Sequence, residues 1–147
     1  MKKIIISFSL LLTAGLTAVF ANDATTPNEQ VLASFKKEFS TAQNVTWKKE
    51  DYYDKAKFLL GTSWVIAYFT PVGQLEGCTR DIFFDQLPLS VMTAIDKRFA
   101  AAEIINVREI TNSDGTHYRL ILEAKNKKYK VKVDSSGNIN EVDKLAK

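Results

Sequence analysis

Residues 128–133, KYKVKV, alternate lysines with apolar side chains, which is the period of a strand with one buried face. Residues 64–69, WVIAYF, lie 64 positions earlier in the chain. Their second, fourth and sixth residues are apolar, as in residues 128–133. This shared spacing predicts two strands that bury the same set of positions. The corresponding pairs are Val65 and Tyr129, Ala67 and Val131, and Phe69 and Val133.

The match extends outward from these strands to two predicted helices. Residues 31–39 and 91–99 carry the same apolar face at a spacing of 60 positions, and a four-residue difference in loop length accounts for the change to 64. We therefore predict an α+β fold of two tandem repeats, about residues 27–85 and 86–142. Each repeat would hold one helix and three to four antiparallel strands, with the helices packed on one face of the sheet.

The start of the first helix carries a local signal of its own. Thr26 followed by Pro27 and Glu29 predicts a capping box with Thr26 as the N-cap and the proline at the first helical position. Pro88 has the opening role in the second helix. In the strand that follows the first helix, Trp47 shares the parity of the apolar positions and is predicted to contact the core.

Residues 1–21 have the pattern of a secretory signal peptide. Lys2 and Lys3 precede an uncharged run, residues 4–20, and short side chains occupy the positions before a cleavage site after Ala21. Cleavage there leaves residues 22–147 as a single domain. Because the apolar run is at the lower limit for crossing a bilayer, an uncleaved membrane anchor stays open as the alternative.

Composition and charge narrow the classes of partner and cofactor. Removal of residues 1–21 takes away two lysines and no acidic residue, which leaves 18 basic side chains against 17 acidic ones and lowers the net charge from +3 to +1. Global charge therefore gives no argument for nucleic acid or an anionic membrane surface. A single His and a single Cys predict no metal site, no cofactor and no disulfide scaffold, and Cys78 is expected to be a buried thiol.

The packing residues of the predicted elements form a set of short motifs. They are Phe35-x-x-x-Phe39, Ala42-x-Asn44-Val45-x-Trp47, Ala56-x-Phe58, Ala67-Tyr68-Phe69 with Gly73, Leu87-Pro88, and Asp114-Gly115-x-x-Tyr118. With these motifs, residues 31–142 resemble the secreted proteins of Gram-negative bacteria called PepSY-like or β-lactamase-inhibitor-protein-like (BLIP-like). The resemblance implies a non-enzymatic secreted domain. The namesake inhibitor binds a β-lactamase across a concave sheet, and PepSY domains are associated with restraining peptidases.

The outward positions of the two corresponding strands differ in chemistry. Trp64, Ile66 and Tyr68 alternate with the apolar positions of the first strand, where the later strand has lysines. Exposed aromatic residues of this kind mark interaction surfaces, so we predict that these three residues bind a protein or peptide. Tyr52 and Tyr53 are adjacent, so that one is expected in the core and the other, Tyr53, at the binding surface.

Lys130 and Lys132 are predicted to add electrostatic steering for an acidic partner. Two alternatives stay open: a loop such as residues 83–84 covers the outward residues, or both faces of the strand are buried. Catalysis is not expected, because Cys78 and His117 show no local signature of a nucleophile and its base.

The sequence thus predicts a periplasmic or secreted, monomeric binding module without enzymatic activity. Its first candidate role is inhibition or modulation of another protein, such as a hydrolase, with no nucleic acid partner and no stable membrane insertion after signal cleavage. The alternative role is a carrier or sensor that holds a small apolar ligand between the helices and the sheet.

Overall fold

The computed structural model describes residues 26–145, and the predicted signal peptide, residues 1–21, lies outside these described residues. Two helices and eight strands follow one another along this part of the chain, with one short 3-10 turn, Phe84–Gln86, ahead of the second helix. The bounds are α1 Glu29–Glu38, β1 Gln43–Lys49, β2 Asp54–Leu60, β3 Ser63–Phe69, β4 Leu75–Ile82, α2 Leu89–Arg98, β5 Glu103–Asn112, β6 Gly115–Ala124, β7 Lys127–Asp134 and β8 Ile139–Lys144.

The eight strands join one antiparallel sheet in which the spatial order equals the order along the chain. The expectation of two tandem helix-plus-strand repeats is therefore wrong, because β4 pairs directly with β5 from Gly77–Asn112 to Ile82–Val107. A sheet that ended at β4 would expose unpaired backbone N–H and C=O groups along that edge, and pairing with β5 satisfies them. Periodicity reports how each segment folds locally and carries no information on which strand edges meet.

Both helices pack against the same face of this sheet, which we call the helix-covered face. Residues directly opposite each other on neighbouring antiparallel strands point to the same side. One such row runs from Val65 through Arg80, Glu109 and Tyr118 to Val133. It links residues that pack with α1 to residues that pack with α2. We call the opposite side of the sheet the outward face.

Apolar side chains of the helix-covered face form two clusters, the first with α1 and the second with α2. In the first cluster, the ring centroid of Phe35 lies 5.0 Å from that of Phe58 and 5.1 Å from that of Trp47, so the prediction that Trp47 contacts the core is confirmed. The buried members are Val31, Phe35, Ala56, Phe58, Val65, Ala67 and Phe69 in the first cluster, and Leu87, Val91, Ile95, Val107, Tyr118, Leu120, Leu122, Val131 and Val133 in the second.

The N-terminus of α1 lies further along the chain than the capping-box pattern indicates. The helix begins at Glu29, and Asn28 rather than Thr26 caps it: the Asn28 Oδ1 accepts a hydrogen bond of 3.0 Å from the N–H of Val31. The Asn28 side-chain amide also donates a hydrogen bond of 2.6 Å to the carbonyl of Pro71, in the turn between β3 and β4. This tertiary contact favours Asn28 as the cap, and a local sequence pattern cannot report it.

Glycines in two turns allow the helices to approach the sheet closely. Gly73, between β3 and β4, has a φ of +82°, and a Cβ there would lie 2.8 Å from the carbonyl oxygen of Gln30 in α1. Gly137, between β7 and β8, has a φ of +90°, and a Cβ there would lie 2.5 Å from the carbonyl oxygen of Ser90 in α2. Any side chain at either turn would collide with helix backbone, so both positions need glycine.

Candidate functional site

The outward face of β3 carries Trp64, Ile66 and Tyr68, which we call the aromatic stripe. The residues between them, Val65 and Ala67, are buried on the helix-covered face, and the alternation of a strand turns the stripe away from the helices. Trp64 is 50% exposed, and Ile66 and Tyr68 are half-buried. The structure therefore places these side chains on the outward face, while their role in binding stays a prediction.

Residues 83–84, the loop that one alternative placed over the aromatic stripe, do not lie on the stripe. Phe84 packs against the second cluster, on the helix-covered face, and Phe83 is 78% exposed. The interpretation that residues 83–84 cover the stripe is therefore wrong. The interpretation that both faces of β3 are buried is also wrong, because half of the Trp64 surface is open to solvent.

Tyr53 extends the aromatic stripe at its Tyr68 end. The centroids of the two rings lie 6.4 Å apart at an interplanar angle of 81°, the edge-to-face arrangement that aromatic pairs favour. Tyr53 is 38% exposed and Tyr52 is 78% exposed, so the expectation that one of them lies in the core is wrong. Both precede β2, which begins at Asp54, and the alternation of a strand therefore does not apply to them.

A concavity of about 270 Å³ lies beside Tyr53 and Tyr68, and we call it the Gly77 concavity. Gly77 of β4 is directly opposite Tyr68, so no side chain fills the space next to the ring. The register of β3 and β4 shifts between Tyr68 and Phe69, and Glu76 is the extra residue of β4 at this shift. Bulges of this kind re-aim side chains, and Glu76 lines the concavity.

Neither Glu76 nor Gly77 is among the site residues predicted from local patterns. An isolated glycine within a strand often marks a bulge or a close backbone approach, and this is the signal that could have indicated the concavity. A Cβ at Gly77 would lie 2.7 Å from the carbonyl oxygen of Thr111 on β5. The neighbouring strand therefore keeps this position free of a side chain.

A second concavity, of about 320 Å³, lies at the Trp64 end of the aromatic stripe. The Nζ of Lys57 lies 5.1 Å from the centroid of the Trp64 ring, a cation–π contact. Beside it, the Arg108 guanidinium donates hydrogen bonds of 2.8 and 3.1 Å to the Asp81 carboxylate. The hydrogen bond from Arg108 holds the pKa of Asp81 below its usual range. The charged groups at this end of the stripe are thus partnered within the outward face.

Lys130 and Lys132 both lie on the outward face of β7, but their surroundings differ. The Nζ of Lys130 lies 2.6 Å from Asp143 and 3.7 Å from Glu141, both on β8, and the hydrogen bond to Asp143 raises the pKa of Lys130. Lys132 is directly opposite Arg119 on β6 and Glu141 on β8, but within the described residues the ion pair of Glu141 is with Lys130. Because pairing offsets the charge of Lys130, attraction of an acidic partner would come from Lys132 and Arg119 more than from Lys130.

Cys78 and His117 point to opposite faces of the sheet. Cys78 is opposite Ala67 and packs, half-buried, against the first cluster, whereas His117 is opposite Ile110 on the outward face. Burial raises the pKa of the Cys78 thiol. Burial, followed by the charge of Lys132, lowers the pKa of His117. Since the sheet separates the two side chains, they cannot form a nucleophile and its hydrogen-bonded base.

The space between α1 and the sheet, where a carrier would hold its ligand, is occupied by aromatic rings. The centroids of Phe35, Phe39 and Phe58 lie 4.7 to 5.5 Å apart. Within residues 26–145, no group of three or more His, Cys, Asp or Glu side chains is arranged to hold a metal ion. In the same described part of the chain, no helix combines the length and apolar character needed to cross a bilayer.

No model of a known protein family and no curated protein matches this chain. Several solved structures resemble it. A BLIP-like protein from Bacteroides fragilis is 16% identical, with a TM-score of 0.74 over 82% of this chain and 88% of that one. A DUF2874 family protein from Bacteroides ovatus is 22% identical, with a TM-score of 0.74 over 82% and 89%. A Bacteroides eggerthii protein, provisionally described as periplasmic, is 19% identical, with a TM-score of 0.73 over 82% and 90%.

The fold is BLIP-like. The TM-scores and the coverage of both chains support this statement, and at 16 to 22% identity they speak to the fold alone. The BLIP-like part of the predicted resemblance is thus confirmed for the fold, whereas none of these structures shows the PepSY part. A BLIP-like fold can host different functions, so the role of this chain has to be argued from its own outward face.

Proposed function

We propose that the protein is a periplasmic binding module without enzymatic activity, which docks a protein partner on the outward face of β3. The exposure of the aromatic stripe carries this proposal: Trp64 keeps 50% of its surface in solvent although the sheet has a helix-covered face that could bury it. Trp and Tyr are the residue types enriched at the centres of protein interfaces. Tyr53 extends the aromatic stripe through its contact with Tyr68.

Export to the periplasm has two supports. Residues 1–21 have the pattern of a signal peptide, and the similar Bacteroides eggerthii protein is provisionally described as periplasmic. When the full chain is expressed in a Gram-negative host, the intact mass of the protein from the periplasmic fraction is expected to match a chain that begins at Asn22. Recovery of the uncleaved chain from the membrane fraction would contradict this part of the proposal.

The partner that we propose is another envelope protein, with a hydrolase as the first candidate, whose activity the bound module inhibits or modulates. The BLIP-like description of the Bacteroides fragilis protein supports this class of partner. The outward face also offers a cationic region at Arg119 and Lys132, on β6 and β7, three and four strands away from the aromatic stripe. Such a region increases the association rate with an acidic surface without determining the final affinity.

The test compares the native protein with the double variant Trp64→Ser/Tyr68→Ser. A partner captured from an envelope extract is identified, purified and titrated against both proteins by calorimetry. Because loss of a central aromatic contact costs about 2 kcal/mol or more, we expect the affinity to fall by about 30-fold or more. Where the partner is a hydrolase, its turnover is measured in the same series.

The matched control is Phe83→Ser, which removes an aromatic ring that is 78% exposed but lies outside the aromatic stripe. This control is expected to bind like the native protein. Equal binding by the double variant and the native protein would contradict docking at the stripe. Circular dichroism of all three proteins shows whether the fold is retained.

A further inference from the structure

The Gly77 concavity combines two aromatic walls with a carboxylate. Tyr53 and Tyr68 form one side, with ring centroids 6.4 Å apart and nearly perpendicular planes. Glu76 lines the same space because the bulge in β4 adds it opposite β3. Gly77, directly opposite Tyr68, lines the concavity and adds no side chain to it. Aromatic faces and a carboxylate both attract a cation, and neither of them attracts an anion.

The charges around the concavity leave Glu76 without a counter-ion. Within residues 26–145, no ion pair or side-chain hydrogen bond engages the Glu76 carboxylate. Lys55, directly opposite Tyr68, has its Nζ 2.7 Å from a carboxylate oxygen of Glu50. Arg108, further along the outward face, is paired with Asp81 at 2.8 Å. The nearby cations are therefore committed to other carboxylates, and a positive group of a partner would meet an unpaired negative one.

We infer that the Gly77 concavity takes a cationic side chain, arginine or lysine, of the docked protein, with Glu76 as its counter-ion and Tyr53 and Tyr68 as its aromatic walls. This inference rests on the docking function proposed above and specifies one contact of that interface. At about 270 Å³ the concavity has room for the head group of one such side chain. The outward face then presents an acceptor for a cation at this end and a cationic region at Arg119 and Lys132.

The experiment tests cation binding at the Gly77 concavity with small peptides, so the unidentified partner is not needed. The ¹⁵N-labelled protein is titrated with the blocked tripeptide acetyl-Gly-Arg-Gly-amide and, separately, with its citrulline analogue, which keeps the shape of arginine and removes the charge. We expect the arginine peptide to shift the backbone amide signals of Gly77 and Asn112, both at the concavity. The citrulline peptide is expected to bind at least about two- to fivefold more weakly, because the cation–π and ionic contributions are lost.

Two variants assign the effect to individual side chains. Glu76→Gln and Tyr68→Leu are each expected to weaken the arginine peptide by about two- to fivefold, from the ionic and the cation–π contribution respectively. Glu38→Gln removes the same charge from an exposed position on α1 and is expected to leave the affinity unchanged. The amide spectrum of each variant reports whether the fold is intact.

Equal affinity for the arginine and citrulline peptides would overturn the inference, as would an unchanged affinity in Glu76→Gln or shifts confined to other regions. These outcomes are separable from the docking function. If the peptides leave the Gly77 signal unmoved while the captured partner still depends on Trp64 and Tyr68, the cationic contact is refuted and the docking function stands. If the arginine peptide binds as expected but binding of no partner depends on Trp64 and Tyr68, the docking function is refuted. The Gly77 concavity is then a cation-binding site without the proposed docked protein.

Discussion

The strands β3 and β7 are alike on one face and opposite in character on the other. On the helix-covered face, β3 buries Val65 and Ala67, and β7 buries Val131 and Val133. On the outward face, β3 carries the aromatic stripe, whereas Lys128, Lys130 and Lys132 occupy the alternate positions of β7. The comparison teaches that the helices constrain the inward positions to apolar residues, while the outward positions are free to diverge.

The strands that pair with β3 and β7 deepen this difference. β8 places Glu141 and Asp143 within 3.7 Å of Lys130, so this lysine of the outward face of β7 is paired with its neighbour. β4 instead places Gly77 opposite Tyr68 and Thr79 opposite Ile66. These small residues leave the aromatic side chains open. The outward face of β7 is therefore a charged, solvated surface, and the outward face of β3 is the candidate docking surface.

The largest expected effect contrasts the two faces of β3 directly. Phe69→Ala removes a fully buried ring of the first cluster and is expected to lower the free energy of unfolding by about 3–5 kcal/mol. Trp64→Ser, at an outward position that is 50% exposed, is expected to cost less than about 1.5 kcal/mol. Urea denaturation of the two variants and the native protein gives both numbers. A loss of 3 kcal/mol or more for Trp64→Ser would show that the stripe belongs to the core.

A smaller effect is expected at the turns that bring the helices onto the shared face. Gly73→Ala and Gly137→Ala each force a non-glycine residue to a positive φ and against a helix carbonyl, so each is expected to cost about 2–3 kcal/mol. Gly61→Ala is the control, since its φ is +61° but nothing lies within 4 Å of the added Cβ. We expect about 1 kcal/mol there. Thermal unfolding of the three variants separates two costs. Gly61→Ala reports the cost of the positive φ alone, and the additional loss in Gly73→Ala and Gly137→Ala reports the clash of the Cβ with the helix carbonyl.

The smallest effect concerns the cationic part of the outward face. The pKa of His117 is lowered by burial, then by Lys132 and Arg119. The folded protein therefore binds this proton less readily than the unfolded chain, and stability is lost as the pH falls from about 6.5, the ordinary value, toward the folded pKa. Because the chain has a single His, its ring proton signal in an NMR titration of the untagged protein reports the midpoint directly.

The matched variants for that titration are Lys132→Gln and Lys128→Gln. Removal of the Lys132 charge is expected to raise the pKa of His117 toward its ordinary value, while the burial contribution remains. Lys128 lies opposite Glu123, two strand positions beyond Lys130, and its removal is expected to leave the midpoint unchanged. Identical midpoints in the native protein and in Lys132→Gln would mean that the charge of Lys132 does not lower the pKa of His117.

Part of the site can be predicted from the sequence, and the part that cannot be predicted has physical reasons. The outward orientation of Trp64, Ile66 and Tyr68 follows from the alternation with buried neighbours, which is a local property of a strand. The exposure of both Tyr52 and Tyr53 does not, because they lie just before β2, where the alternation has not begun. The pairing of Lys130 with Asp143 depends on the register of β7 and β8, which no single segment encodes.

By itself, the sequence determined which side chains face the helices, since a periodic apolar pattern must be removed from water whatever the neighbours are. Only the tertiary structure decided that the eight strands form one sheet, that Asn28 caps α1 by way of the turn after β3, and that Glu76 joins two tyrosines around Gly77. The first and third features depend on which strand edges meet and in which register, whereas the second depends on the contact between the Asn28 side chain and the carbonyl of Pro71. The hydrophobic pattern and the turn geometry together set a register, and a single segment by itself does not indicate the strand with which it pairs.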